Sequence, residues 1–190
     1  GEKRIFLLPG VPFEMRTMLQ EEVIPRLQEV LQSAFKREQM HLILTPESEI
    51  ASFAASLGDC VGLYPKYGTL TVAVRGESCS KISEVEKMYP TRVYSYDDPR
   101  LEKALQEVMI EKRVTLSTAE SCTGGSIAAH ICAIPDASRY FVGSVVSYAN
   151  EVKERLLGVK SLEIEGAVSE TVVREMAAGL LKVTRSDYAI

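Results

Sequence analysis

A serine, a tyrosine and a lysine lie close together in the second half of the sequence: Ser138, Tyr148 and Lys153. A lysine that is held neutral can take the proton of a serine hydroxyl, so this combination supports nucleophilic attack without a histidine. The chain has two histidines, His41 and His130, and neither has an acidic neighbour at a suggestive spacing. Acyl-transfer chemistry in this chain is therefore more consistent with a serine–lysine pair than with a serine–histidine–aspartate triad.

A hydroxyl-rich turn that ends in two glycines precedes these residues. Ser121, Cys122 and Thr123 lead into Gly124 and Gly125. The apolar pattern predicts a strand over 114–119 before the turn and a helix over 126–134 after it. Ligands of α/β sheets bind at such strand ends, where glycines admit a bound group to the backbone and a helix start offers free N–H donors. The turn is a candidate binding loop, and it is also consistent with an ordinary capped helix start.

Each of the three chemical residues also has a purely structural interpretation. Ser138 follows Pro135 and Asp136, which suits a turn or a cap. Lys153 suits a solvated surface position, because charged side chains are mostly exposed. Tyr148 suits a core or edge aromatic. Residue type and spacing alone leave both interpretations open.

Hydrophobic periodicity predicts alternating strands and helices, and therefore an α/β fold. We expect strands at 4–8, 41–44, 69–75, 114–119 and 141–148, with another starting at 188–190. We expect helices over 15–31 with a kink or break at Pro25, from Thr45 to a stop at Gly58, around 82–88, over 101–109, over 126–134, from Asn150, and over 169–180.

Capping residues and buried faces refine these elements. Thr45-Pro46 and Asp98-Pro99 are each predicted to be an N-cap followed by a first-turn proline, and Ser169 is predicted to be an N-cap. Two buried faces are predicted, one on a strand (Leu70, Val72, Val74) and one on a helix (Leu101, Leu105, Val108, Met109).

Composition narrows the class of protein. The chain has 190 residues, of which 46% are hydrophobic and 25% charged, as in an ordered globular protein. Its net charge of −4 does not indicate a nucleic-acid surface. No apolar run approaches the roughly 20 residues that cross a bilayer. The four cysteines form no C-x-x-C pair, which argues against a zinc site or a disulfide framework and favours reduced thiols in the cytoplasm.

An ordered set of motifs resembles the C-terminal domain of the CinA (competence/damage-inducible) family. The set comprises Ala119-Glu120-Ser121-Cys122-Thr123-Gly124-Gly125, Pro-x-x-Ser-x-x-Phe at 135–141, Ser-Tyr-x-Asn-x-x-Lys at 147–153, Leu157-Gly158-Val159, Gly166-Ala167-Val168-Ser169 and Glu175-Met176-Ala177. Near the start of the chain, 8–15 resembles the end of the family's molybdopterin-binding-like domain. The resemblance implies three parts: the tail of that domain over 1–34, a small KH-like α+β module over 35–97, and an incomplete α/β amidase domain over 98–190.

The family's C-terminal domain is similar to nicotinamide-nucleotide amidase, which converts nicotinamide mononucleotide to nicotinate mononucleotide and ammonia. The resemblance implies that Ser138 is the nucleophile and Lys153 its base, and that Ser121 and Tyr148 support them. Cys122, Thr123, Gly124, Gly125 and Asn150 then become substrate-binding candidates. The implied ligand is a small nucleotide, with no cofactor and no metal. Nucleic acid is not expected, because 35–96 contains no GXXG loop and no dense basic stripe.

Two departures from the family pattern matter. Asp136 stands where the family usually has glycine, and its negative charge would oppose a neutral lysine base. The family's Thr-Gly-x-Ala-Gly-Pro loop would follow Ile190, so we expect this chain to have little or no amidase activity. We also expect it to be a homo-oligomer, assembled through the sheet edge exposed beside the strand at 188–190. The alternatives are an ADP-ribose pyrophosphatase activity of the parent's N-terminal domain and a non-catalytic dimerisation module.

Overall fold

The computed structural model describes residues 4–30 and 36–190 and shows a mixed α/β protein, as predicted. Its helices are α1 (Pro12–Met18), α2 (Ile24–Val30), α3 (Glu47–Leu57), α4 (Ile82–Met88), α5 (Leu101–Lys112), α6 (Ser126–Cys132), α7 (Asn150–Leu157), α8 (Leu162–Glu165) and α9 (Glu170–Thr184). Its strands are β1 (Arg37–Ile43), β2 (Val61–Lys66), β3 (Thr69–Arg75), β4 (Val93–Ser95), β5 (Leu116–Glu120), β6 (Phe141–Val146) and β7 (Tyr188–Ala189).

The chain divides into two compact units, residues 1–39 with 45–90 and residues 40–44 with 91–190. In the first unit, the predicted strand at 4–8 is wrong: these residues have no regular structure, and Ile5 and Leu7 are 86% and 89% exposed. No described strand pairs with them, and an apolar run without a hydrogen-bonding neighbour does not form a strand. The domain boundaries at 34 and 97 remain predictions.

The predicted break at Pro25 is a π-helical turn, Leu19–Val23, between α1 and α2. Proline has no N–H to donate to the preceding turn, and widening that turn accommodates the missing bond. Leu31, predicted to extend this helix, lies outside the described residues.

The β2–β3 hairpin is the main sheet element of the first unit. The strands pair antiparallel from Val61 with Val74 to Lys66 with Thr69. The predicted buried face of β3 is confirmed, because Leu70, Val72 and Val74 are buried, but the strand does not alternate strictly, because Ala73 is buried as well. Strand β2 was not predicted, since it contains Gly62 and Pro65, two residues that disfavour strands.

The second unit contains a parallel three-stranded sheet in the order β6-β5-β7. One apolar cluster joins Leu116 and Tyr140 to Met109 of α5, Ile131 of α6 and Ala137 of the short turn before β6. A second cluster includes Leu157, Val172 and Leu180, and Ala119, Val145 and Ala189 of the sheet pack against it. The sheet therefore lies between two helical layers. The strand predicted at 188–190 is confirmed as β7, which pairs parallel with β5.

Strands β1 and β4 pair antiparallel through His41 with Ser95 and Leu42 with Val93. Strand β4 has only three residues, which is too short to show a period, and it was not predicted.

Two predicted helix starts are displaced along the sequence. The N-cap of α3 is Pro46, not Thr45, and the N-cap of α5 is Arg100, not Asp98. The Asp98 carboxylate instead accepts the backbone N–H of Arg100 at 2.9 Å and binds its guanidinium, which lowers the pKa of Asp98 to about 2. The predicted cap Ser169 is confirmed, because its hydroxyl accepts the N–H of Val172.

The buried face of α5 also differs from the prediction. Leu101 and Val108 are exposed, whereas Ala104, Gln106 and Met109 are buried. The amide of Gln106 donates to the carbonyl of Pro135 at 2.7 Å, which satisfies this buried polar side chain. In the described part of the chain, no helix combines the length and the apolar character that a membrane span requires.

Candidate functional site

The carboxyl edge of the parallel sheet brings two loops together. Glu120 at the end of β5 is in register with Val146 at the end of β6. The N–H of Ser147 donates to the carbonyl of Glu120 at 2.7 Å, which ties the loop after β6 to the loop after β5. The turn 121–125 and the segment 147–153 therefore share one edge, as expected for a ligand site in a parallel sheet.

The turn is shaped by its two glycines. Gly124 and Gly125 have φ values of 60° and 93°, which side chains other than glycine rarely adopt. A Cβ atom on Gly125 would lie 3.3 Å from Cγ2 of Val146, so a small residue also lets the turn approach β6. Cys122 and Thr123 are exposed and Ser121 is half-buried, which leaves the predicted binding residues of the turn accessible.

Glu120 holds the turn from the sheet side, a role that was not predicted from the sequence. Its side chain is 2% exposed and accepts the N–H of Ile127 at 3.0 Å and of Ala128 at 2.8 Å. Burial opposes its ionisation, but these N–H groups and the hydroxyls of Thr123 and Thr118 outweigh burial and lower the pKa of Glu120. The buried carboxylate thus holds the start of α6 against the sheet. In the sequence, this role is indicated by a glutamate that directly precedes a turn rich in residues typical of helix starts.

Lys153 is buried, which contradicts its interpretation as a solvated surface charge. It lies in the first turn of α7 with 2% exposure, and its Nζ donates to the carbonyl of Tyr148 at 2.9 Å and to Oδ1 of Asn150 at 3.5 Å. Both acceptors are neutral, and no carboxylate in the described residues forms an ion pair with it. A lysine has three N–H donors when charged, so these two bonds do not satisfy it fully.

The neighbouring residues Tyr148 and Ser147 differ in their exposure to solvent. The Tyr148 side chain is 75% exposed, and it is the backbone carbonyl of this residue that contacts Lys153. Ser147 is fully buried, with its hydroxyl 3.4 Å from the Glu120 carbonyl. The Tyr148 side chain therefore lies at the carboxyl edge of the sheet, exposed to solvent.

Ser138 lies at the amino end of the parallel strands, opposite the carboxyl edge that holds Lys153. It is exposed in the short helical turn Ala137–Arg139, which precedes β6. Lys153 follows β6, so the six residues of the strand separate the two side chains by about 20 Å. Within one chain the structure does not bring Ser138 to Lys153 or to the turn 121–125.

The family glycine that Asp136 replaces has a physical explanation. Asp136 has a φ of 66°, a left-handed conformation that glycine adopts freely and aspartate tolerates better than most residues. Asp136 lies next to Ser138 at the amino end of the parallel strands. Its negative charge therefore does not reach Lys153 of the same chain.

A parallel sheet between helical layers, with a glycine turn and a buried lysine at its carboxyl edge, defines a three-layer α/β domain of the kind that binds ligands at strand ends. Residues 98–190 match the family described as the CinA C-terminal domain. The chain belongs to the CinA family.

Relatives extend this likeness along nearly the whole chain. A CinA-like protein of Endomicrobium trichonymphae is 36% identical over 98% of the chain and 49% of that protein. A CinA-like protein of Chlorobium chlorochromatii is 32% identical over 98% of the chain and 48% of that protein. The chain thus spans about half the length of the curated relatives it matches.

Solved structures match a part of the chain. A competence-damaged protein (CinA) superfamily protein from Escherichia coli is 37% identical, with a TM-score of 0.46, over 47% of this chain and 53% of that one. A competence/damage inducible protein from Agrobacterium tumefaciens is 35% identical, with a TM-score of 0.46, over 47% of this chain and 55% of that one.

Proposed function

We propose that residues 98–190 form a domain that hydrolyses the carboxamide of nicotinamide mononucleotide, releasing ammonia. The observation that carries this proposal is the buried amine of Lys153, which is held by two neutral acceptors at the carboxyl edge of the sheet. A lysine base must be neutral to accept a proton, and a buried position that no carboxylate of the described residues pairs with suits that role.

The chemistry assigned to the dyad is ordinary acyl transfer. The Ser138 hydroxyl attacks the carboxamide carbon while Lys153 takes its proton and passes it to the leaving ammonia, a step that requires Ser138 to come to the carboxyl edge, because a single chain holds it at the other end of β6. Water then attacks the acyl-serine ester, giving nicotinate mononucleotide and free serine. Backbone N–H groups of the turn 121–125 are suited to stabilise the oxyanion or to hold the nucleotide phosphate.

The accessible residues around the turn suit a polar nucleotide. Ser121, Thr123 and Asn150 place hydroxyl and amide groups at one edge, and Asn150 is exposed although its Oδ1 contacts Lys153. Tyr148 adds an exposed aromatic ring beside them. An aromatic ring and hydrogen-bonding groups together match a pyridine ring with its ribose phosphate.

Ammonia release from nicotinamide mononucleotide tests the proposal. It is measured with this chain and with a version extended by a CinA relative's residues that follow the position of Ile190. We expect Lys153→Met and Ser138→Ala each to reduce turnover by about a thousandfold or more, because dyad members act as a unit. Lys160→Met and Ser80→Ala replace exposed residues of the same types and should leave turnover unchanged.

Two results would contradict the proposal. One is an absence of ammonia from both chains, with the fold retained by circular dichroism. The other is near-normal turnover of Lys153→Met, which would assign the base to another group. An inactive but assembled protein would favour the interaction-module alternative.

A further inference from the structure

One face of the β2–β3 hairpin carries an exposed aromatic ring between positively charged side chains. Residues that oppose each other in an antiparallel pair lie on the same face of the sheet, so the register of β2 with β3 sorts the hairpin into two faces. One face holds the buried residues Leu70, Val72 and Val74. The other, which we call the Tyr64 face, consists of Gly62, Tyr64, Lys66, Thr69, Thr71, Ala73 and Arg75.

We propose that the Tyr64 face binds single-stranded nucleic acid, with a base stacked on the ring of Tyr64 and phosphates bound by the cations on either side. Proteins that bind single strands through a β-sheet combine the same two components, an aromatic platform and a positively charged path for the backbone. The absence of a GXXG loop from 35–96 argues only against binding in the manner of a KH domain. The residues of this face belong to the first unit, so the amidase activity proposed for the second unit does not bear on this binding.

The Tyr64 ring is folded back along its own strand. A Cβ atom on Gly62 would lie 2.6 Å from the Tyr64 hydroxyl oxygen and 2.9 Å from Cζ and Cε2, so the end of the ring occupies the space that a side chain at position 62 would need. Glycine weakens a strand, and here it makes room for the ring. Tyr64 is nevertheless 47% exposed. A ring that leans on the sheet and stays half exposed offers a base a flat surface that is already in place.

Positively charged side chains lie on both sides of this ring. Nη2 of Arg75 donates to the Tyr64 hydroxyl at 3.4 Å, which places the guanidinium at the hydroxyl end of the ring. Lys66 lies two residues from Tyr64 in the opposite direction along β2, on the same face, and is exposed. Two of the seven residues of the Tyr64 face are cations and none is an acid. A row of cation, ring and cation matches a chain in which phosphates alternate with bases.

A third cation lies at the Arg75 end of the hairpin. The N–H of Gly76 donates to the carbonyl of Lys36 at 2.8 Å, so the exposed Arg37 is at this end of the sheet as well. The acidic residues that adjoin β2 and β3 in sequence, Asp59 and Glu77, lie in the turns outside the two strands. The face is therefore positive although the chain carries a net charge of −4. Charge complementarity favours a polyanion over an uncharged peptide as its partner.

Binding of labelled oligonucleotides tests the proposal. Fluorescence anisotropy gives the affinity of the chain for oligothymidine and oligouridine of about ten nucleotides, a length typical of single-strand sites. We expect both to bind, and a duplex of equal length to bind several-fold more weakly, because its bases stack on one another and do not reach Tyr64. The proposal is wrong if neither oligonucleotide binds, if a proline-rich peptide binds in their place, or if a mononucleotide binds as tightly as they do.

Substitutions of Tyr64 isolate the contribution of the ring. Tyr64→Leu keeps an apolar side chain over Gly62 but removes the aromatic surface, so we expect the affinity to fall about fivefold or more. Tyr64→Phe keeps the ring and should bind within about twofold of wild type. Tyr188→Leu changes a tyrosine of similar exposure, 56%, in the second unit and should not affect binding. Undiminished affinity of Tyr64→Leu would overturn the proposal.

Gly62→Ala tests the position of the ring without changing its chemistry. The added Cβ displaces the hydroxyl end of Tyr64 from the sheet, so we expect the affinity to fall about threefold or more. The unfolding temperature should not fall, because Gly62 has no positive φ and alanine suits a strand at least as well as glycine. Gly10→Ala, whose Cβ would have nothing within 4 Å, is the matched control. Equal affinity of wild type and Gly62→Ala would contradict stacking on the ring as it is placed here.

Salt dependence reports the contacts with phosphates. For single strands, each phosphate that a cation neutralises contributes about 0.7 to the slope of log affinity against log salt concentration. Arg75→Gln and Lys66→Gln should therefore each reduce the slope by about 0.7. Arg174→Gln removes an exposed arginine from α9 and should leave the slope unchanged. A slope that neither hairpin variant alters would show that these cations do not bind the backbone, and would overturn the proposed site.

Discussion

Single residues at the carboxyl edge have structural as well as chemical tasks, and Glu120 illustrates the difference. Its carboxylate is buried and bonded to two backbone N–H groups of α6, so removing its charge leaves those donors with a weaker acceptor. We expect Glu120→Gln to lower the free energy of unfolding by about 1–3 kcal/mol at neutral pH, measured by urea denaturation. Glu163→Gln, at an exposed position on α8, is the matched control and should change stability little.

The effect of Glu120 should also depend on pH. Because its pKa is lower in the folded state, the carboxylate stabilises the fold above its unfolded pKa, and this contribution is lost as the pH falls through the folded value. The difference between wild type and Glu120→Gln should therefore shrink below about pH 4.3. A difference that is constant from neutral to acidic pH would show that charge plays no part.

The burial of Lys153 could not be predicted from the sequence around it. A lysine in the first turn of a polar helix has no sequence signal for burial, because charged side chains are usually exposed. Its burial depends on the carbonyl of Tyr148 and on the packing of α7 beside α9, which are tertiary features. The resemblance to a family, not the composition of the helix, indicated a chemical role for this lysine.

At the scale of elements, α7 and α9 make contact through a glycine. A Cβ atom on Gly179 would lie 2.6 Å from the carbonyl carbon of Leu157 and would also overlap its oxygen. Alanine in a helix interior normally stabilises by about 1 kcal/mol relative to glycine. Here we expect Gly179→Ala to destabilise by about 1–3 kcal/mol, because the two helices must separate.

Thermal and urea unfolding measure this effect. Ala178→Gly, at the neighbouring exposed position, reports helix propensity alone and should cost about 1 kcal/mol. A stabilised Gly179→Ala variant would show that the helices do not meet at Leu157.

Sequence patterns predicted the elements that have long, regular periods. β5, β6, α6 and α9 were found because apolar residues repeat along them, and Ser169 because its hydroxyl is a strong start signal. Strands β2 and β4 were missed, one because it contains glycine and proline, the other because three residues show no period. Pattern also cannot show that β6 separates Ser138 from Lys153, since two residues fifteen apart are compatible with either end of a strand.

At the scale of the whole molecule, the two apolar clusters on either side of the parallel sheet consist of residues between Leu105 and Ala189. No member comes from the first unit, so the sheet and its helices carry their own core. We therefore expect residues 98–190 alone to fold cooperatively, because a segment that buries its own apolar faces can form a domain independently.

A chain of residues 98–190 should give a single urea transition and dispersed amide NMR signals. The matched control, residues 98–168, keeps the turn 121–125 and Lys153 but lacks α9, and with it Val172, Met176 and Leu180 of one cluster. That control should be unfolded, because one face of the sheet then has little to cover it. A non-cooperative transition of 98–190 would mean that the core of the second unit depends on β1 and β4, whose residues 40–44 and 93–95 the shortened chain omits.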